Sequence, residues 1–184
     1  MDRCAILIDA GHLLAEGGKL CCGTKKRLVI RCDYSCLIAM LVDYAQGHCQ
    51  LPVLRTYWYD GARDGIPTAD HLHIARLAGV KLRLGRLSGG KQKGVDALIY
   101  RDLMTLARER AIATAYLLGG DEDLREGVAA AQDMGVRVVV LGIDTKETGE
   151  RANQADTLVR EADERHVFQR DQLAPFFFRL SASP

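Results

Sequence analysis

Short apolar runs and longer stretches of helical spacing alternate along the chain. Cys4 to Ile8 is a nearly unbroken apolar run ending at Asp9, the pattern of a strand buried on both faces. Leu37, Met40, Leu41 and Tyr44 recur at helical steps and predict a helix over 34–46, with Asp33 or Ser35 as cap and Gly47 as stop. Residues 52–59, rich in β-branched and aromatic side chains, predict a second strand, and Asp60-Gly61 a turn out of it. Pro67 suits a first helical turn and opens a helix to about residue 78. Beyond it the pattern predicts strands over 80–84, 112–118 and 136–143, with helices over 94–110 and 123–134. The tail from about residue 151 carries a helix through Val159, a short strand near 166–168 and an apolar segment over 176–180. Two Gly-rich, basic stretches fit neither period and predict loops: one after Asp9 containing Gly11, Gly17, Gly18, Lys25, Lys26 and Arg27, the other over 85–93.

Strands alternating with helices, and reading as continuous apolar runs, predict an α/β fold. The expected form is a Rossmann-like three-layer sandwich with a central, mainly parallel sheet. With no repeats, low-complexity tracts or long linkers, 184 residues suit one domain, its core over about 3–168 and a packing tail over 169–184. Lys and Arg total 25 against 24 Asp and Glu, so net charge says nothing of partners and only its distribution can. No apolar run approaches the ~20 residues of a membrane span. The first residues lack a leader pattern, which predicts a cytoplasmic protein whose six cysteines stay reduced. Cys21, Cys22, Cys32, Cys36 and Cys49 cluster near His48, but their spacing matches zinc sites poorly.

In parallel sheets, chemistry collects at the carboxyl ends of strands, and acids stand there. Asp9 ends the first run, Gly119-Gly120-Asp121 follows the strand over 112–118, Asp144 follows the strand over 136–143, and Asp96 lies in the first turn of a helix. At about 5 Å and an effective dielectric of about 20, each converging charged pair repels by roughly 3 kcal/mol. A hard divalent cation such as Mg²⁺ or Mn²⁺ is the simplest compensation. Each acid also has a plain structural role open to it. Asp9 could bond loop amides, Asp96 could complement a helix dipole, and Asp123, three residues before Glu126, has the spacing of a capping box. Asp121, ahead of that cap, is harder to explain so. Asp102, at helical spacing with Leu98 and Leu106, is expected to point inward and need a partner. His71 and His73 fall on different faces of their helix, against a shared metal.

Ile6-Leu7-Ile8-Asp9-Ala10-Gly11-His12-Leu13, then Lys93-Gly94-Val95-Asp96 followed by Asp102, then Gly120-Asp121-Glu122-Asp123-Leu124 resemble the three signature segments of the NYN domain family. That family includes LabA-like bacterial proteins and belongs to the PIN-like nucleases. The resemblance covers about 3–168 and extends to Tyr57-Trp58-Tyr59-Asp60-Gly61 and Met134-Gly135-Val136-Arg137-Val138. It implies a PIN-like fold and Mg²⁺- or Mn²⁺-dependent ribonuclease activity, with Asp9, Asp96, Asp121 and Asp123 as the metal-binding, catalytic acids. Two positions depart from the family pattern: His12 stands where the first motif usually has Asn, and Gly119 where the third usually has Ser or Thr.

From His71 to Val95 there is no acid, while Arg86, Lys91 and Lys93 flank Ser88-Gly89-Gly90 and lead to Asp96. A cationic loop beside an anionic centre suits phosphodiester binding, so Arg86, Lys91, Lys93 and His12 are the expected substrate contacts and RNA the expected partner. Aromatic side chains are too sparse for an evident stacking platform. A homodimer is left open. The alternative function is a non-cleaving PIN-like module that binds RNA or protein. A haloacid-dehalogenase-type phosphatase would want a second Asp where Gly11 stands, and no G-x-G-x-x-G follows the first strand.

Overall fold

The structure, a computed structural model, describes residues 2–88, 91–144 and 153–180, with the side chains of all of these except 86–88 and 91–93. In chain order the elements are β1 (Cys4–Asp9), α1 (Ala10–Cys22), β2 (Ile30–Cys32), α2 (Tyr34–Cys49), β3 (Val53–Arg63), α3 (Ala69–Ile74), β4 (Val80–Ser88), β5 (Lys91–Lys93) and α4 (Val95–Arg108). There follow β6 (Thr114–Leu118), α5 (Arg125–Asp133), β7 (Arg137–Ile143), α6 (Asp156–Glu161), β8 (Glu164–Phe168), α7 (Arg170–Leu173) and β9 (Phe177–Arg179). The main sheet has the order β5-β4-β3-β1-β6-β7-β8, parallel throughout except for β5 against β4. Without β5 this is the 3-2-1-4-5-6 order of a Rossmann sheet.

Strand periodicity builds the layers. Along β1, Cys4, Ile6 and Ile8 enter one core with α1 and α2, while Ala5 and Leu7 enter the other with α4 and α5. Trp58 and Tyr116 join the first core, Tyr57 and Tyr59 the second. Among the described residues no helix is long and apolar enough to cross a membrane.

The structure corrects the expected outline at five places. The stretch after Asp9 is not a loop but helix α1, with Gly17 and Gly18 inside it. A methyl group on Gly17 would stand 2.5 Å from the Phe177 ring, and one on Gly18 would run into Ile30. Each glycine costs roughly 1 kcal/mol of helix propensity against Ala, and that cost lets the β2–β9 ribbon lie directly on the helix. Helix α2 passes Gly47 and ends at Cys49, capped by Gln50 in the left-handed region. Strand β3 runs on through Asp60 and Gly61 to Arg63, because β4 continues beside it as far as Ser88. The expected loop over 85–93 is the β4–β5 hairpin, with Arg86 opposite Lys93 and Ser88 opposite Lys91; Gly89 and Gly90 lie outside the described residues. The helix opened by Pro67 is shortened to Ala69–Ile74 and capped by Thr68, which accepts from the His71 N–H.

Asp60 is therefore no turn residue. It is fully buried in β3 and accepts two hydrogen bonds from Arg27, at 2.8 and 2.6 Å, and one from the Gly61 N–H at 2.8 Å, with His71 Nε2 at 2.9 Å. Burial alone would push its carboxyl up, but Arg27, then His71 and the Gly61 amide, hold it below the ordinary carboxylate value. The fork-to-carboxylate geometry pins the Arg27–Val29 turn across the end of β3. Arg27→Ala should cost roughly 2–3 kcal/mol in chemical denaturation, somewhat under a full buried-pair loss because His71 and Gly61 still serve the carboxylate. Adding Asp60→Asn should recover part of that loss. A double variant no more stable than Arg27→Ala would show that Asp60 needs no counter-charge.

Candidate active site

The strand order reverses between β1 and β6, and in such sheets the crevice opens at the carboxyl ends of those strands. Asp9 is the last residue of β1 and caps α1, its Oδ1 accepting from the Gly11 N–H at 2.9 Å and the His12 N–H at 3.3 Å. Across the crevice, Gly119 and Gly120 leave β6 and Asp121 caps the short turn Glu122–Leu124, accepting from the Asp123 N–H at 3.2 Å. Asp123 is thus not the cap its spacing with Glu126 predicts. It lies one step inside the turn, exposed, and the capping role belongs to Asp121. Asp96 sits in the first turn of α4, after Gly94 in the left-handed region at φ 81°.

These four acids feel one another. Asp9 is pushed up from 3.8 to about 6, first by burial and then by Asp96, against the pull of the His12 and Gly11 amides. Asp96 is raised by burial and by Asp121 and Asp123. A recess of about 460 Å³ lies between Asp9, Gly11, His12, Gly120, Asp121, Glu122 and Asn153. His12 stands in its wall with Nε2 buried and without a hydrogen-bond partner among the described residues. Burial lowers the His12 pKa, only partly opposed by Glu16 and Asp121. A methyl group on Gly120 would meet the Asn153 carbonyl and the His12 ring at 2.5 Å, so only glycine fits there.

The structure thus places Asp9, His12 and Asp121 around one recess and couples Asp96 and Asp123 to them. Other acids are spent elsewhere. Asp102 points inward as expected and meets Arg83 at 2.8 and 3.1 Å and the Tyr59 hydroxyl at 3.1 Å. Of the basic residues after α1, Lys25 pairs with Glu16 at 2.9 Å and Arg27 with Asp60. The side chains of Arg86, Lys91 and Lys93 lie outside the described residues. Sequence reasoning missed Glu16, Asn153 and Gln154. Asn153 donates to the Ile143 carbonyl at 3.1 Å and Gln154 to the Gly119 carbonyl at 2.7 Å, so the chain after β7 braces the turn that carries Asp121. Reading α1 as a helix would have found Glu16, one turn from His12 on the same face.

The donor set is all hard oxygen, suited to Mg²⁺ or Mn²⁺. Among the described residues no three His, Cys, Asp or Glu side chains stand close enough to enclose one ion. Mg²⁺ is usually held by one or two carboxylates, its remaining positions filled by water and phosphate. An open pair such as Asp9 with Asp96 fits that pattern, whereas a closed structural zinc site does not.

A family model described as the NYN domain matches residues 3–169. The chain belongs to the NYN domain family. NYN domains are part of the PIN-like nuclease superfamily, and the three aspartate segments all fall within the matched range. The chain is 53% identical over 97 residues to "Uncharacterized protein y4oD" of Sinorhizobium fredii (strain NBRC 101917 / NGR234). That stretch is 52% of this chain and 44% of the relative, so this NYN chain spans less than half the length of the relative it matches. Its fold matches the crystal structure of a protein of unknown function, VPA0982 from Vibrio parahaemolyticus RIMD 2210633. The TM-score is 0.64 over 96% of both chains at 20% identity, a likeness of fold alone.

Asp9 gives the NYN domain a defined pH response. A folded-state pKa raised from 3.8 to about 6 favours the fold while the carboxyl keeps its proton. That contribution is lost as pH rises through this window, leaving a penalty of about 3 kcal/mol above it. In EDTA, Asp9→Asn should therefore be more stable than wild type at pH 7.5, with the difference shrinking towards pH 4. Melting curves of the two proteins that stay parallel from pH 4 to 7.5 would contradict this.

Proposed function

We propose that this NYN domain is a metal-dependent ribonuclease that hydrolyses RNA phosphodiester bonds within the strand. The observation that carries the reading is that acids from three separate segments stand near one another at the crevice of the sheet: Asp9 is raised by burial and by Asp96, and Asp96 in turn by burial and by Asp121 and Asp123. Such acids favour their ionised form only with positive charge among them. Asp9 and Asp96 would hold Mg²⁺ or Mn²⁺, with Asp121 and Asp123 completing the acidic wall. The chemistry the ion supplies when bound is a more acidic water and neutralisation of charge at the phosphate.

The chain's own groups do the positioning. The two amide hydrogen bonds at Oδ1 fix the Asp9 carboxylate at the mouth of the recess. Neutral His12, with an unpartnered Nε2, can bond a phosphate oxygen or the attacking water without adding charge. Arg86, Lys91 and Lys93, on the hairpin just before Asp96, would bind backbone phosphates. A non-cleaving RNA- or protein-binding module is the second reading, favoured by the lack of three clustered ligands among the described residues.

Incubating structured and single-stranded RNA with Mn²⁺, Mg²⁺ or EDTA separates the two readings. Asp9→Asn, Asp96→Asn and Asp121→Asn should each remove most metal-dependent cleavage, by on the order of a hundredfold or more, while the circular dichroism stays native. Full activity in all three would sink the metal-centre reading, and RNA binding without cleavage in any metal would favour the module. The hairpin generates a separate expectation. Replacing Arg86, Lys91 and Lys93 with Gln should weaken RNA binding across sequences and flatten its salt dependence by up to about 3 units. Cleavage at saturating RNA should change far less, because these contacts act in ground and transition states alike. An unchanged salt slope would return the hairpin to an ordinary solvated edge.

A further inference from the structure

A second cavity, of about 220 Å³, opens beside the acid rim. It adjoins the buried Asp60, since Arg27, Gly61 and His71 all line it, and Leu14 of α1, the helix that Asp9 caps, lines it too. Asp60 is close enough to Asp9 to contribute to the rise in its pKa, so cavity and acids are neighbours at the ends of β1 and β3. Leu14, Leu28 and Ile30 supply apolar wall; of the polar side chains, Arg27 and His71 are already bonded to Asp60, which leaves Thr68, Asp70 and Tyr34. Ligand pockets for drug-sized molecules run roughly 300–1,000 Å³. This one has room for a single planar ring system.

We infer that this cavity is a base-specificity slot that takes the guanine of a nucleotide next to the scissile phosphate, an inference that rests on the ribonuclease reading of the acid rim. Three observations support a flat, partly apolar occupant with hydrogen-bond donors. Leu28 is 93% exposed at the cavity mouth, a large apolar side chain held in water beside an apolar space. Arg27, its chain neighbour, is bonded to Asp60 at both terminal guanidinium nitrogens. The recognition group is Asp70, whose Oδ2 accepts from the Tyr34 hydroxyl at 2.9 Å. Tyr34 is itself braced edge-on against Trp58, with ring centroids 5.5 Å apart.

A carboxylate only accepts. Guanine alone presents two adjacent N–H donors on its Watson–Crick edge and can meet a carboxylate at both. Uracil offers one donor between two carbonyls that the carboxylate repels, and adenine and cytosine each set one amino group beside a ring acceptor. The slot continues into a larger recess of about 960 Å³ that shares Ile30, Cys32, Tyr34 and Asp70 and also carries Arg31 and His73. A single strand crossing the acid rim therefore has a path onward past the slot.

The test uses the full chain in EDTA, where no cleavage occurs, and two RNA pentanucleotides of equal charge: all uridine, and uridine with one central guanosine. Equal charge cancels the phosphate contribution, leaving the base to account for any difference. The guanosine strand should bind roughly tenfold tighter. Asp70→Asn, which replaces one acceptor with a donor, should erase that preference, and Leu28→Ser, at an exposed position that tolerates change, should weaken guanosine binding by several-fold. Equal binding of both strands to wild type overturns the slot, as does a preference that survives in Asp70→Asn and Leu28→Ser. The two readings fail separately. RNA cleavage in Mn²⁺ without base preference removes the slot and leaves the nuclease, whereas guanosine preference without cleavage leaves the slot and removes the nuclease.

Discussion

Two hydrogen bonds to one oxygen organise the active end of this molecule. The Gly11 and His12 amides donate to Asp9 Oδ1, and in doing so they end β1, begin α1 and fix the first acid of the rim. An N-terminal cap contributes about 1 kcal/mol, yet its structural reach here is greater. α1 departs directly from the strand with no intervening loop, so His12 and Glu16 project on the face that borders Asp121, and Leu14 reaches the neighbouring cavity. The cap also favours the ionised carboxylate, opposing the burial and the Asp96 charge that push Asp9 up. The centre is held between these tendencies, with its acid poised near 6.

The distribution of countercharge separates structural acids from the others. Asp60 has Arg27 and His71, Asp102 has Arg83, and Glu16 has Lys25. Among the described residues Asp9, Asp96, Asp121 and Asp123 make no ion pair, although basic side chains are as numerous as acidic ones in the chain. Removing the partner of a buried charge costs several kcal/mol; Asp9, buried and without a cation beside it among the described residues, is the acid of this group at which an external cation gains most.

How much of this was legible in the sequence follows from the range of the interactions involved. Strands β1, β6 and β7 are buried on both faces, so their apolar runs announce them, and the acids at their ends followed by counting. Helix α1 was hidden because Gly17 and Gly18 speak locally for a loop. Their reason for being there, the Phe177 ring and Ile30, lies on a ribbon whose second strand is more than a hundred residues away. Asp60 misled for the same reason: beside Gly61 it reads as a turn, and it is Arg27, thirty-three residues earlier, together with His71 that makes it tolerable inside a strand. The exchange of roles between Asp121 and Asp123 is subtler, since both spacings permit a cap. The path of the chain through Gly119 and Gly120, braced by Gln154, decides which acid reaches the free amide.

The same bracing bears on the two positions where the chain departs from the usual NYN pattern. Gly119 stands where Ser or Thr is usual, and a side chain there would begin 2.9 Å from Leu124 Cδ1 and 3.7 Å from Asp9 Cβ. Leu124 is buried and anchors the turn bearing Asp121 and Asp123, so a hydroxyl-bearing residue would press on the segment that carries two of the acids. His12 stands where the family resemblance leads us to expect Asn, and its ring occupies the space that a Cβ on residue 120 would take. Glycine at 120 makes the space for the imidazole, whose Nε2 is buried and has no hydrogen-bond partner among the described residues. That unpaired nitrogen is the observation behind the proposal that His12 contacts substrate.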